Sequence, residues 1–307
     1  MRALIDIGLN TIAKLTDTSA RARKAKAKVT KVAADVRYAE GHGSSRLLDV
    51  WKPRESSGPL PVLFYVHGGG FRILSKETHR YFAYRFAAEG FLVVTINYRL
   101  TPAGTFPHAL EDVCLALQWT LDHAEEYGGD TSQLFYAGDS AGANLSTALA
   151  ICSSWKRPEP WARAVWDRNP APVGILPACG IMQVSQPERY LERTDIPSWM
   201  RQRIEIVCRG YRPEPNDPDD LASPLCFLEA AGPPERPFPA VFAPCGDEDP
   251  IADDTRRLEP ALSALEIPNE IKFYEGGGHA FHAFPWSDRS ELCWADQFRF
   301  LNELTNG

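Results

Sequence analysis

Gly138-Asp139-Ser140-Ala141-Gly142 sets a serine between two glycines at the point where a strand gives way to a helix. Residues 133–137, Gln-Leu-Phe-Tyr-Ala, read as a buried strand, and residues 144–151, Asn-Leu-Ser-Thr-Ala-Leu-Ala-Ile, read as a helix with small and apolar faces. Glycine on either side lets the backbone come close enough to make so sharp a turn, which projects the serine oxygen out of the fold. The helix beyond would begin with unpaired N–H groups, and these favour a negative charge developing beside them. Gly-x-Ser-x-Gly also occurs in ordinary turns, so its weight comes from its surroundings.

Those surroundings alternate between strand and helix. Residues 32–38 and 45–50 read as a hairpin joined by Gly41-His42-Gly43, and residues 60–66 and 91–97 as further strands. Helices are expected at 78–89 and 109–127, strands near 172–177, 239–244 and 270–274, and helices near 253–265 and 287–304. This rhythm, with near-continuous apolar strands, predicts an α/β protein whose mainly parallel central sheet is covered by helices on both faces. Residues 183–222 break it: they are polar, with Trp199, Met200 and Ile204 at helical spacing before Pro213, Pro215, Pro218 and the acids Asp217, Asp219 and Asp220. That segment is too short to bury a core of its own and reads as a helical cap inserted above the sheet. The expected organisation is N-terminal cap helices at 1–33, a core at 34–182 and 223–307, and the cap insertion at 183–222.

The 307 residues are 44% hydrophobic, ample for one large α/β domain, and the net charge of −7 argues against nucleic acid as a partner. Seven cysteines without a C-x-x-C pair fit reduced, buried thiols in the cytoplasm better than a disulfide framework or a zinc site. Residues 1–10 are interrupted by Asp6 and lack the apolar core of a secretory signal, and the uncharged run at 169–187 carries Pro170, Pro172 and Pro177. A soluble, cytoplasmic protein is expected. Leu4, Ile5, Gly8, Ile12 and Leu15 recur at helical spacing, followed by Arg21, Arg23, Lys24, Lys26, Lys28 and Lys31 with no acid among them. Such a stretch could touch an anionic membrane surface, but nothing lipid-specific accompanies it, and a helix packed over the site followed by a solvated basic run is preferred.

Acyl transfer by serine needs a nucleophile, a base, a group that orients the base, and donors for the oxyanion. Ser140 is the candidate nucleophile. His279, in Gly276-Gly277-Gly278-His279-Ala280-Phe281, follows a strand and is favoured as base over His282, which lacks the glycine run that lets the chain turn inward. Among the acids at 247–254, Asp249 stands out because Pro250 restrains it just before helix-forming sequence. His67-Gly68-Gly69-Gly70-Phe71 follows the strand at 60–66 and offers the N–H groups of Gly69 and Gly70, with that of Ala141 as a third donor.

Taken together, His-Gly-Gly-Gly at 67–70, Gly-Asp-Ser-Ala-Gly at 138–142, Asn97-Tyr-Arg-Leu-Thr-Pro102 with Phe106-Pro107 and Glu111-Asp112, Ala222-Ser-Pro-Leu225, Gly246-x-x-Asp249-Pro250 and Gly278-His279-Ala280-Phe281 resemble the hormone-sensitive lipase family of α/β-hydrolases. The resemblance runs from about residue 34 to the end and implies an α/β-hydrolase fold with a cap. It implies Ser140, Asp249 and His279 as the triad, Gly69, Gly70 and Ala141 as oxyanion donors, and His67 and Asp139 as supporting residues. The function it implies is a carboxylesterase-type serine hydrolase for small to medium acyl esters, with no metal or organic cofactor. An amidase or lactonase would use the same residues. A non-catalytic small-molecule receptor is known on this fold, and retention of His279 argues against it. Oligomeric state, a homodimer included, is open at this level.

Overall fold

The structure, a computed structural model, describes residues 16, 18–212 and 221–306. The amphipathic positions before residue 16 and the proline- and aspartate-rich stretch at 213–220 lie outside the described residues. Eight strands form one sheet: β1 (Val29–Arg37), β2 (Leu47–Pro53), β3 (Leu60–Val66), β4 (Leu92–Ile96), β5 (Gly129–Asp139), β6 (Pro172–Ala178), β7 (Ala240–Gly246) and β8 (Asn269–Tyr274). Their spatial order is β1-β2-β4-β3-β5-β6-β7-β8. The first two pairings are antiparallel, and every pairing from β4–β3 to β7–β8 is parallel.

Alternation along the strands divides the core into two layers. Val62, Phe64 and Val66 of β3, with Leu134 and Tyr136 of β5, pack beneath α3 (His108–His123), α4 (Ala141–Ser154), α5 (Pro160–Arg168), α8 (Pro224–Ala230) and α9 (Ala252–Ala264). Leu63, Tyr65, Phe135 and Ala137 face the other way, against α1 (Ala20–Ala27), α2 (Arg80–Ala88) and α10 (Asp288–Asn306). The Trp294 indole of α10 packs edge-on to Tyr81 and Phe86 of α2 and anchors that layer. Two short helices, α6 (Glu188–Leu191) and α7 (Ser198–Tyr211), belong to the segment set apart in the sequence as an insertion. Helices α5 and α8 were not expected. Each is short and opens on a proline, and neither carries a long periodic face.

The basic run is divided between α1 and β1, with Arg23, Lys24, Lys26 and Lys28 exposed. Its first part is α1, capped by the Ser19 hydroxyl, which accepts from Ala22 N–H. Arg21 donates to the Pro285 carbonyl and the Asp288 carboxylate, and Lys31, on β1, donates to Asp49 of β2. The seven cysteines are free thiols, six of them buried and Cys226 half-buried. No described helix is long and apolar enough to cross a membrane.

Candidate active site

Parallel strands all point their C-terminal ends to one edge of the sheet, and the loops leaving that edge carry the chemistry-bearing residues. β5 ends at Asp139, Ser140 occupies a left-handed backbone conformation at φ 53°, and α4 starts at Ala141. A serine is unfavourable there, and the turn is held by its neighbours. Ser140 N–H donates to the Ala178 carbonyl at the end of β6 at 2.9 Å, and Ile181 N–H donates back to the Ser140 carbonyl at 3.4 Å. Gly142 is required by close approach: a Cβ there would lie 2.0 Å from the Val66 carbonyl oxygen.

His279 follows β8, and its neighbour Ala280 has φ 54°, which turns the imidazole inward. Its Nε2 lies 2.9 Å from Ser140 Oγ and its Nδ1 lies 2.8 Å from Asp249 Oδ2. The Asp249 side chain has no exposure to solvent, whereas the imidazole keeps 35%. Asp249 Oδ1 accepts from Ile251 N–H at 3.0 Å, at the entrance to α9, the position that Pro250 suggested. Burial pushes the His279 pKa down, but the adjacent Asp249 carboxylate more than offsets it, and the net direction is upward.

The rival His282 sits differently. It is buried against the edge of Phe82, burial depresses its pKa to about 4, and its Nδ1 has no hydrogen-bond partner. It is a neutral core imidazole.

The glycine loop is brought to the serine turn by Asp139. This buried carboxylate accepts from Gly68 N–H at 3.0 Å and from the Tyr65 hydroxyl at 2.8 Å, and its Oδ1 lies 3.3 Å from His79 Nε2. Burial would raise its pKa, yet His79 and the Tyr65 hydrogen bond prevail and hold it below the usual carboxylate range. His67 is buried with its Nδ1 2.7 Å from the Gly68 carbonyl oxygen, and its ring stacks on Tyr98 at 4.4 Å. Burial lowers its pKa to about 3, so the ring is neutral and donates to that carbonyl. Gly69 carries φ +114°, and its carbonyl accepts from Arg72 and Ile73 N–H, which curls the loop over itself. Tyr65 and His79 were not singled out in the sequence. Both lie in ordinary strand and helix-edge contexts, and only the fold aims them at Asp139.

Helix α7 closes over this loop. A Cβ at Gly70 would come within 2.8 Å of Val207 Cγ2, so the valine is seated on the loop backbone. One turn on, the Tyr211 ring stacks face to face on Phe71 at 3.7 Å. The segment leading to α7 is strapped to α9 by Arg189 on Asp254 at 2.6 Å and by Arg193 on Asp253. Asp254, another of the acids at 247–254, is buried and also accepts from Gln183 N–H.

A family described as "alpha/beta hydrolase fold" matches residues 63–283, which span the glycine loop, the serine turn and His279. Among curated proteins, the chain is 28% identical over 252 residues to a versiconal hemiacetal acetate esterase of Dothistroma septosporum, covering 79% of this chain and 73% of that one. It is 30% identical over 225 residues to an acetyl esterase of Salmonella schwarzengrund, covering 72% of this chain and 65% of the relative. Among solved structures, a hyperthermophilic esterase from the archaeon Pyrobaculum calidifontis superposes with a TM-score of 0.76 at 22% identity, over 99% of this chain and 93% of that one. The eight-stranded sheet and the extent of the family match lead to one identification: the chain belongs to the α/β-hydrolase family, in the hormone-sensitive-lipase-like group its motifs resemble.

Proposed function

We propose that this protein is a carboxylesterase-type serine hydrolase in which Ser140, His279 and Asp249 act as the triad. The observation that supports this most directly is the unbroken line of contacts from Asp249 Oδ2 to His279 Nδ1 at 2.8 Å and from His279 Nε2 to Ser140 Oγ at 2.9 Å. Asp249, ionised, favours the tautomer with the proton on Nδ1, leaving Nε2 as the base. His279 takes the hydroxyl proton as Ser140 Oγ attacks the ester carbonyl. The N–H groups of Gly69, Gly70 and Ala141 receive the oxyanion, the last of them free of an intrahelical partner because it opens α4. His279 then protonates the leaving alcohol. In the second half it activates water, and the acyl-enzyme releases its acid.

The seat of Val207 on Gly70 and the Phe71–Tyr211 stack support small to medium acyl groups. The relatives' names, two of them acetate or acetyl esterases, point the same way. The described part of the insertion at 183–222 is proposed as the cap over this site, consistent with the contacts of α7, whereas of the expected N-terminal cap at 1–33 residues 29–33 lie in β1 and α1 packs in the layer of α2 and α10. Hydrolysis of aryl esters of graded chain length, with Ser140→Ala as control, tests the reading. Activity should peak at short acyl chains, and a fluorophosphonate should label Ser140 alone. Turnover of long-chain emulsified triglyceride in preference to short esters would defeat it.

A further inference from the structure

Outside the roles given above, two thiols reach the same cluster: Cys245 Sγ donates to Asp249 Oδ2 at 3.7 Å, and Cys179 lies near both Asp249 and His279. Cys179 is the residue directly after β6, held at φ 43° with its N–H donating to the Pro244 carbonyl of β7 at 2.9 Å. Its Sγ, a ring nitrogen of His279 and a carboxylate oxygen of Asp249 all lie within 4.8 Å of one another. The reason is topological. β6, β7 and β8 are parallel neighbours, so the first residues beyond their C-terminal ends converge from three distant parts of the chain.

We propose that Cys179, Asp249 and His279 form an inhibitory site for a zinc-type divalent cation. Sulfur, imidazole nitrogen and carboxylate oxygen are together the donor set of zinc and cobalt, whereas calcium and magnesium require oxygen donors. Zinc bonds of about 2.0–2.3 Å place tetrahedral donors roughly 3.5 Å apart. Nδ1 and Oδ2 are already closer than that, so the thiol has about an ångström to travel, within reach of a rotation about its own Cα–Cβ bond. The surroundings suit a cation. The carboxylates of Asp249 and Asp139 give the site a negative field that attracts a dication. Thiolate and carboxylate then balance its two positive charges.

The consequence for turnover follows from proton positions. Metal binding at Nδ1 requires the single proton of the neutral imidazole to sit on Nε2. The thiol loses its proton to water as the metal–sulfur bond forms, so one proton is released per ion bound. Ser140 Oγ then faces an N–H donor instead of a base and cannot be deprotonated. Inhibition therefore rests on the roles proposed above for His279 and Asp249, whereas binding does not.

The experiment uses the full-length protein freed of metal by chelator, with zinc chloride and cobalt chloride as probes. Equilibrium dialysis should find one zinc per chain, aryl acetate hydrolysis should fall in step with occupancy, and EDTA should restore it. Cobalt should give a near-ultraviolet thiolate charge-transfer band. Cys179→Ser and Cys179→Ala should keep metal-free turnover, lose the band, and need at least about tenfold more zinc for half-inhibition. Cys226→Ser, which alters the most exposed thiol, should behave as the parent. Zinc inhibition unchanged in both Cys179 variants, or a cobalt complex of the parent without the thiolate band, overturns the site, and so does equal inhibition by magnesium. If zinc binds through Cys179 but the metal-free protein hydrolyses no ester, the site stands and the esterase reading fails.

Discussion

Two buried aspartates, Asp49 and Asp249, show how the same side chain serves opposite ends. Asp49, on β2, has no side-chain exposure and accepts from Lys31 Nζ at 2.5 Å, Lys76 Nζ at 2.8 Å and Asp35 N–H at 2.9 Å. Lys76 is itself buried, with Asp35 and Glu77 each at 2.6 Å. Burial works to raise the Asp49 pKa, but these donors outweigh it and hold the carboxyl below its ordinary value. Burial works to lower the Lys76 pKa, but Asp35, Asp49 and Glu77 outweigh it and raise it, so the cluster is a fixed rivet between the β1–β2 edge and the loop after β3. Asp249 is equally closed to solvent, but beside the Cys245 thiol it holds an imidazole, the side chain suited to gaining and losing a proton. In the proposed mechanism burial alone does not set Asp249 apart from Asp49; its partner's capacity to change charge does.

The largest break in that comparison is expected at the nucleophile. Ser140→Ala should lower kcat by about 10⁶-fold, by analogy with other serine hydrolases, and residual activity within tenfold of the parent would remove Ser140 from the mechanism. Asp249→Asn should cost roughly 10⁴-fold in kcat by favouring the wrong tautomer, with little loss of stability. Asp49→Asn should do the reverse. It removes the carboxylate shared by Lys31 and Lys76, while Asp35 and Glu77 stay on Lys76, and should destabilise the fold by about 1.5–3 kcal/mol in urea titration, with kcat nearly kept. A matching fall in kcat for both asparagine variants would erase the distinction.

Acid separates the two clusters without mutation. In the proposed mechanism His279 must be neutral to act, and its pKa is raised, so kcat/KM should fall with decreasing pH along a limb lying above the ordinary histidine value of 6.5. Asp49 has a depressed folded-state pKa, so its contribution to stability is full above the ordinary carboxylate value and fades only as pH drops through the folded one. Between these limits the protein should be folded but inactive and fully recoverable. Loss of near-ultraviolet dichroism along with activity would contradict this. The smallest effect is expected at the cap: Val207→Ala should improve the ratio of longer to shorter acyl esters by roughly tenfold, read from kcat/KM on a chain-length series.

Much of the fold is legible in local pattern. The β3 strand and the Leu134–Ala137 part of β5 are apolar runs bounded by turn residues, and the observed elements fall within a few residues of where periodicity puts them. Helices α5 and α8 escaped because nine and seven residues carry too little periodic signal. The choice of His279 over His282 rested on a glycine run, and the two do differ in surroundings, one beside Ser140 and the other in the core. The acidic stretch was less readable. Nothing local separates Asp254, buried beneath Arg189, from Asp253, which remains at the surface.

By itself the chain determined its parallel α/β architecture, because strand period, glycine turns and helix starts are local properties of neighbouring residues. It also marked Ser140, His279 and Asp249 as candidates, since each sits in a turn whose composition is unusual. Which groups face one another was decided only in three dimensions. The tethering of the glycine loop through Asp139, the convergence of Cys179 on the Asp249–His279 pair, and the Lys76 rivet all join residues far apart in sequence. Such contacts depend on strand order and on which carboxylates lose their water, and neither is encoded in any single segment.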